Sequence, residues 1–190
     1  MMPNFSGHCM SEALGAEPVL KQAMECERNY EWLNAVEYYE KALALVSETD
    51  FLKRGGIQEK TGYAFYRASM QAEDPGAFKK LRQRAGEAYK SAGQLFERES
   101  GLRNEGKSAQ CYAIAEYVSS WLASSLSEKR ERLEKCCELG NKSLKAYEEA
   151  GDELNYGKMC NDLLLCLYER LLVASDWREM RDFAQEGIDC

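Results

Sequence analysis

The run Gly101, Leu102, Arg103, Asn104, Glu105, Gly106, Lys107, Ser108 satisfies, letter for letter, the G-x4-G-K-S pattern of a phosphate-binding loop. That chemistry needs glycines that let backbone N–H groups wrap the phosphates, a lysine for the β and γ oxygens, a serine for magnesium, and a buried strand leading into the loop. The strand is missing. Tyr89 to Ser100 precedes the run, with Gln94, Glu97, Arg98 and Glu99 interleaved at helical period, and no apolar strand ending in aspartate stands ready for the metal. The segment therefore reads as a polar turn, with Asn104 near the cap of a helix and Lys107 in solvent. Nucleotide binding through Gly101 to Ser108 is the least favoured function, and ATP or GTP with magnesium is not expected to bind.

Other reactive residue types are no better arranged. Cys136 and Cys137 are neighbours, while Cys26, Cys111, Cys160 and Cys166 stand at helical spacing among apolar residues and read as small core side chains. Zinc wants a C-x-x-C pair or a histidine-rich spacing, and the single histidine is His8. No metal site and no cofactor are expected. A general base needs a poised histidine or a carboxylate pair in a pocket; the acids here are spread as surface residues are, so no catalytic residue is assigned and an enzyme is not expected. The basic cluster Lys79, Lys80, Arg82 and Arg84 could meet acidic headgroups or a phosphorylated segment. It shares a helix with the apolar stripe Phe78, Leu81, Ala85 and Tyr89, and reads as a solvated face.

Composition narrows the class. A net charge of −7, from 25 basic against 32 acidic residues, argues against a nucleic-acid binder, which needs a basic face. The chain has 190 residues, 45% of them hydrophobic, enough for one domain or a short repeat array with a real core. The most apolar run, Leu163 to Val173, contains Glu169 and Arg170 and is too short to span a membrane. With no secretory h-region at the start, the expected compartment is the cytoplasm.

Eight helices must position these residues. Residues 1–16 read as a lead-in, and Glu17 and Pro18 open a first helix that runs to about Arg28. Asn29 turns into a helix with Trp32, Ala35, Val36, Tyr39, Ala42, Leu43 and Val46 on one stripe. Gly55 and Gly56 read as a break before a third helix from about Ile57 to Ala72, stopped by Asp74, Pro75 and Gly76. The fourth carries Phe78, Leu81, Ala85, Tyr89, Ala92 and Phe96. The fifth, with Cys111, Ile114, Ala115, Tyr117, Val118, Trp121 and Leu122, is apolar around most of its circumference. Ser127 opens the sixth, which ends at Gly151 and Asp152, and the seventh covers about Glu153 to Ala174. Ser175 or Asp176 caps an eighth, with Trp177, Met180, Phe183, Ala184 and Ile188 facing in.

Three of these helices repeat a pattern: a small residue, a tyrosine four positions on, and alanine three after that. The copies are Ala35, Tyr39, Ala42; Ala85, Tyr89, Ala92; and Ser143, Tyr147, Ala150. The spacing puts each set on one helical face, where small residues admit a second helix and the ring fills the gap. The segment Asn29, Tyr30, Ala35, Val36, Tyr38, Tyr39, Glu40, Lys41, Ala42, Leu43 resembles the second helix of a tetratricopeptide repeat, with Ala23 on the family's small packing position. Ala88, Tyr89, Ala92 and Phe96, then Ala109, Cys111, Tyr112 and Ala115, and Tyr147, Ala150, Gly151 and Asp152 are similar to the longer repeats of soluble NSF attachment proteins. Successive copies begin at 35, 85 and 143, with Met180 a looser fourth, further apart than the roughly 34 residues of the simple repeat. Lys21 is followed by Gln22, Ala23, Met24 and Glu25, without the asparagine of the pair by which chaperone-binding relatives clamp a C-terminal carboxylate.

The pattern and the resemblance point to an all-α fold, a right-handed superhelical array of about four antiparallel helix pairs over residues 17–190, open to continuation beyond Cys190. The function so implied is that of a protein–protein interaction scaffold, taking a peptide or partner helix in a concave groove lined by the first helix of each pair. The alternative implied by the second resemblance is an adaptor linking a membrane complex to an ATPase. Candidate partner-binding residues are Tyr63, Tyr66, Arg67 and Met70 on the third helix and Tyr117 and Trp121 on the fifth, because aromatic and arginine side chains dominate interface energies. Ile114, Tyr117 and Trp121 could instead pack against neighbouring helices. An uncapped array end also exposes core surface through which a homodimer could form.

If the marker tyrosines fill the interior, Tyr89→Ala costs about 3 kcal/mol or more, while Lys80→Ala costs under about 0.5 kcal/mol. Equal shifts in denaturant melts would show the helix phase to be wrong.

Overall fold

Four helix starts in this chain are set by short polar side chains that take up otherwise unpaired N–H groups. Asp50, Asp74, Ser125 and Asp152 each accept from the backbone N–H three residues on, at 3.1, 2.9, 3.1 and 3.3 Å. Pro75 follows Asp74 at the first helical position, where its missing N–H costs nothing. The helix ending before Asp152 is closed by Gly151 at φ 64°, whose N–H reaches Glu148 O at 3.0 Å. The computed structural model describes the backbone of residues 15–189 and the side chains of residues 15–185. Residues 1–14, with His8 and most of the expected lead-in, lie outside the described residues, as do the Ile188 side chain and Cys190.

Among the described residues the chain is all-helical: α1 (Ala16–Arg28), α2 (Trp32–Ala44), α3 (Phe51–Met70), α4 (Pro75–Phe96), α5 (Leu102–Ser120), α6 (Leu126–Glu149), α7 (Glu153–Leu172) and α8 (Trp177–Asp189). Each packs on the helix before and after it in sequence, most extensively α3 with α4 and α5 with α6. Contacts within each of these pairs step in opposite directions along the two helices, as antiparallel hairpins require. Gly62 meets Tyr89 and Gly55 meets Phe96 between α3 and α4. On the odd-numbered helices the order is parallel: Glu59 reaches Lys107 and Tyr66 reaches Tyr117.

The repeated pattern is the buried face. Ala35, Tyr39, Ala42, Ala85, Tyr89, Ala92, Ser143 and Tyr147 are all buried, and Ala150, at the C-cap of α6, is half-buried. What receives the rings of Tyr89 and Tyr147 is glycine. An added Cβ on Gly62 would stand 2.9 Å from the Tyr89 ring, and one on Gly106 2.7 Å from the Tyr147 ring. Ser143, in place of the alanine of the other copies, donates its hydroxyl to the Gly106 carbonyl at 2.8 Å. The pair α1 and α2 meets in the same core cluster through Ala23, Ala35 and Tyr39.

Several expected boundaries are corrected. Gly55 and Gly56 do not break the chain, since α3 begins at Phe51. Gly55 is needed because a Cβ there would lie 3.0 Å from the Phe96 ring, so packing overrides its low helix propensity. The cap of α6 is Ser125 rather than Ser127. In α8, Trp177, Met180 and Ala184 are exposed rather than buried, because α7 supplies most of the packing against it and Arg130 of α6 adds only an ion pair to Glu179; Phe183 makes the contact, with Arg170 stacked 4.0 Å from its ring. Cys26 and Cys160 are half-buried, while Cys111 and Cys166 are core residues as read.

The glycine sockets give a sharp test. Gly106→Ala forces a methyl group into the Tyr147 ring and is expected to cost about 1–3 kcal/mol, whereas Gly157→Ala, with nothing within 4 Å, gains about 0.5–1 kcal/mol. Denaturant melts giving both substitutions the same sign would refute the sockets.

Candidate binding groove

The odd-numbered helices leave one face uncovered, and along it runs a cleft of about 1670 Å³ lined from α1, α3, α5 and α7. A smaller cavity of about 380 Å³ lies toward the C-terminal ends of α3 and α5. The two share Tyr63, Tyr89, Ile114, Asn161 and Asp162, so they are parts of one groove. Helical spacing explains which side chains reach it. Leu154, Lys158, Asn161 and Leu165 on α7, and Lys107, Gln110, Ile114 and Tyr117 on α5, recur every three or four residues and so share one face.

The groove has a polar end. Lys107 pairs with Glu59 at 2.9 Å across α5 and α3, with both side chains only about a quarter exposed, so the pair is less screened than one at the surface. The Tyr147 hydroxyl donates to Gln110 Oε1 at 2.7 Å, and Gln110 Nε2 donates to Asp162 Oδ2 at 3.1 Å. This chain of bonds ties α6, α5 and α7 together at the groove floor.

The other end is aromatic. Trp32 and Tyr63 meet edge to face at 5.7 Å, and Arg67 lies 4.9 Å over Trp32 while donating to the Tyr63 hydroxyl at 2.9 Å. Tyr66 and Tyr117 stand 6.4 Å apart. Behind them Arg82 is stacked among Tyr66, Phe78 and Trp121, with its ring distances between 4.5 and 5.1 Å.

Of the residues singled out from the sequence, Tyr63, Tyr66, Arg67, Met70 and Tyr117 line the smaller cavity together. Trp121 is not part of that lining; it is exposed on one side and packs on Phe78 at 6.4 Å, with Lys129 4.9 Å over its ring. Ile114 and Tyr117 do both things weighed for them: they pack partly against the core and line the groove. Sequence reasoning missed the polar end, Glu59, Gln110 and Asp162, and the whole of α7. The signal available was the heptad-like spacing of Leu154, Lys158, Asn161 and Leu165.

The phosphate-loop lookalike is not a loop. Leu102 to Ser108 are helical, Asn104 lies inside α5 with its amide on Ser100 O at 3.1 Å, Gly106 is the socket for Tyr147, and Ser108 is buried. Lys107 is corrected from solvent to the half-buried partner of Glu59. The basic cluster is also corrected: Lys79, Lys80 and Arg84 are exposed, but Arg82 is buried. Among the described residues no group of three metal-ligating side chains converges, and no helix is long and apolar enough to cross a membrane.

Burial lifts the Asp162 carboxyl to about 6; the Gln110 amide opposes that, Glu59 adds to it and Lys158 lowers it. The folded value exceeds the ordinary 3.8, so the folded state holds the proton more tightly and this group's contribution to stability falls as pH rises through that interval. Asp162→Asn keeps an oxygen for Gln110 and removes the charge. Its melting temperature is expected to exceed that of the parent at neutral pH and to converge with it in acid; a constant difference across that range would contradict this.

No protein-family model matches the chain, and no curated protein shows significant similarity to it. The geometry of the groove therefore carries the functional argument.

Proposed function

We propose that this chain is a protein–protein interaction scaffold, a right-handed superhelical array of helix pairs that takes an extended peptide or a partner helix along the groove of α1, α3, α5 and α7. The observation that carries the reading is a continuous cleft lined from α1, α3, α5 and α7, with the Glu59–Lys107 pair toward one end and Tyr63, Tyr66 and Tyr117 toward the other. Such a surface offers both orientation and anchoring. The glycine sockets lock the hairpins against each other, so a partner docks on a surface that is already ordered and less entropy is lost. The groove's Glu59 is held by Lys107, which suits a positioning role in binding.

The test is selection of a displayed random-peptide library on the full chain, followed by titration of the selected peptides. Met70→Arg, which puts a bulky charge at the exposed mouth of the cavity, is expected to weaken binding about tenfold or more. Lys90→Glu, on an exposed α4 position outside the groove lining, should leave it unchanged. Failure to select any peptide, or loss of binding through Lys90 alone, would overturn the proposal.

A further inference from the structure

Arg82 carries a buried charge with no carboxylate on it. The residue is 2% exposed, and its Nε and Nη1 are buried without a hydrogen-bond partner. Arginine stays protonated in proteins, and burial, which lowers its proton affinity, is offset in part by the facing phenols and by Glu169 at longer range. The π faces of Tyr66, Phe78 and Trp121 supply some attraction. They do not supply an anion, and uncompensated buried charge is costly. Neighbouring carboxylates are engaged elsewhere: Glu169 pairs with Lys129 at 2.8 Å and Asp162 accepts from Gln110.

A second guanidinium stands on the groove side of the same wall. Arg67 lines the cavity, is half-buried, and is held by Trp32 and the Tyr63 hydroxyl, with no ion pair among the described residues. Tyr66 and Tyr117 line the cavity and also interact electrostatically with Arg82. Arg67 thus lines an aromatic cavity and Arg82 lies behind its tyrosine wall, while the one carboxylate in the lining, Asp162, stands where the cavity opens into the larger cleft and accepts from Gln110. Met70, Ile114 and Leu165 complete an apolar lining. The Arg67 end of the cavity, away from Asp162, calls for an occupant that is both anionic and apolar.

Building on the groove reading above, we propose that the cavity between α3, α5 and α7 is an anchor pocket for a partner peptide that presents an aromatic or leucine side chain beside an acidic one. The apolar side chain fills the space against Met70 and Leu165, and the carboxylate faces Arg67, with Arg82 behind the Tyr66 and Tyr117 wall strengthening the attraction. Low local dielectric makes that attraction larger than at an open surface. Arg67 contacts the peptide, and Arg82 acts through the tyrosines as a positioning residue.

The experiment reads the sequences of peptides selected from a displayed random library on the full chain, then titrates one synthetic peptide from that selection. Enrichment of Phe, Tyr, Trp or Leu next to Asp or Glu is expected. Exchange of the peptide's acidic residue for its amide, or Arg67→Gln in the protein, should each weaken binding about tenfold or more, and the loss should not add when both are made. Arg82→Met is expected to keep or raise the melting temperature, because an uncompensated charge is removed, while weakening the same peptide. Enrichment of neutral or basic peptides that ignore Arg67→Gln would overturn the anchor and leave the groove reading standing; no enrichment at all would sink both. An Arg82→Met chain that binds unchanged would overturn the role given to Arg82, and if that variant does not fold, the Arg67→Gln and peptide-amide pair decides the proposal alone.

Discussion

The absence of a side chain at Gly62 and Gly106 is the constraint on which the hairpin packing depends. A tyrosine ring from the following helix occupies the space where each Cβ would stand. A ring seated against bare backbone fixes both the separation of the two helices and their register. At Gly106 the fit is reinforced, since Ser143 bonds the glycine carbonyl and the Tyr147 hydroxyl continues through Gln110 to Asp162. Packing at this density leaves little freedom to slide. Gly55 against Phe96, Gly93 against Tyr112 and Gly140 against Leu163 extend the same device to further helix contacts.

Because the even-numbered helices spend one face on these sockets, the odd-numbered ones are held side by side with a face left over. Glu59 to Lys107 and Tyr66 to Tyr117 show α3 and α5 running parallel, and Gln110 to Asp162 ties α7 to them. Parallel neighbours place like ends together. In α3 and α5 the charged residues of the N-terminal halves gather toward one end of the groove and the aromatic residues of the C-terminal halves toward the other, which is how residues far apart in sequence come to share a pocket. The helix ends are closed as well: Arg54 donates to the carbonyls of Leu43 and Val46, and Arg130 to that of Val173.

Much of this was legible in the sequence, and the rest failed for identifiable reasons. The spacing of Ala85, Tyr89 and Ala92, repeated in α2 and α6, identified the buried face, because a helix repeats its faces every three to four residues whatever its partner is. Tyr63, Tyr66, Arg67, Met70 and Tyr117 read as the faces of the third and fifth helices turned from the core, and these five line one cavity. Gly55 and Gly106 misled because local propensity assigns glycine to breaks and turns, whereas here the need for space overrides it. Gly106 also happened to sit before Lys107 and Ser108, completing a phosphate-binding pattern in a segment that is helical. Arg82 looked like one of four surface cations, since only the arrangement of α3, α4 and α5 puts three rings around it. Glu59, Gln110 and Asp162 are unremarkable in sequence and acquire a role only when three parallel helices bring them within hydrogen-bonding distance.

A double-mutant cycle on Gly106 and Tyr147 tests the socket most directly. If the cost of Gly106→Ala is the collision of its methyl group with the ring, then in a Tyr147→Leu background that cost shrinks to within about 0.5 kcal/mol or changes sign, a coupling typical of residues in contact. Equilibrium unfolding in urea measures all four corners of the cycle. Costs that simply add, with Gly106→Ala as damaging beside leucine as beside tyrosine, would contradict the account of how these helices are held.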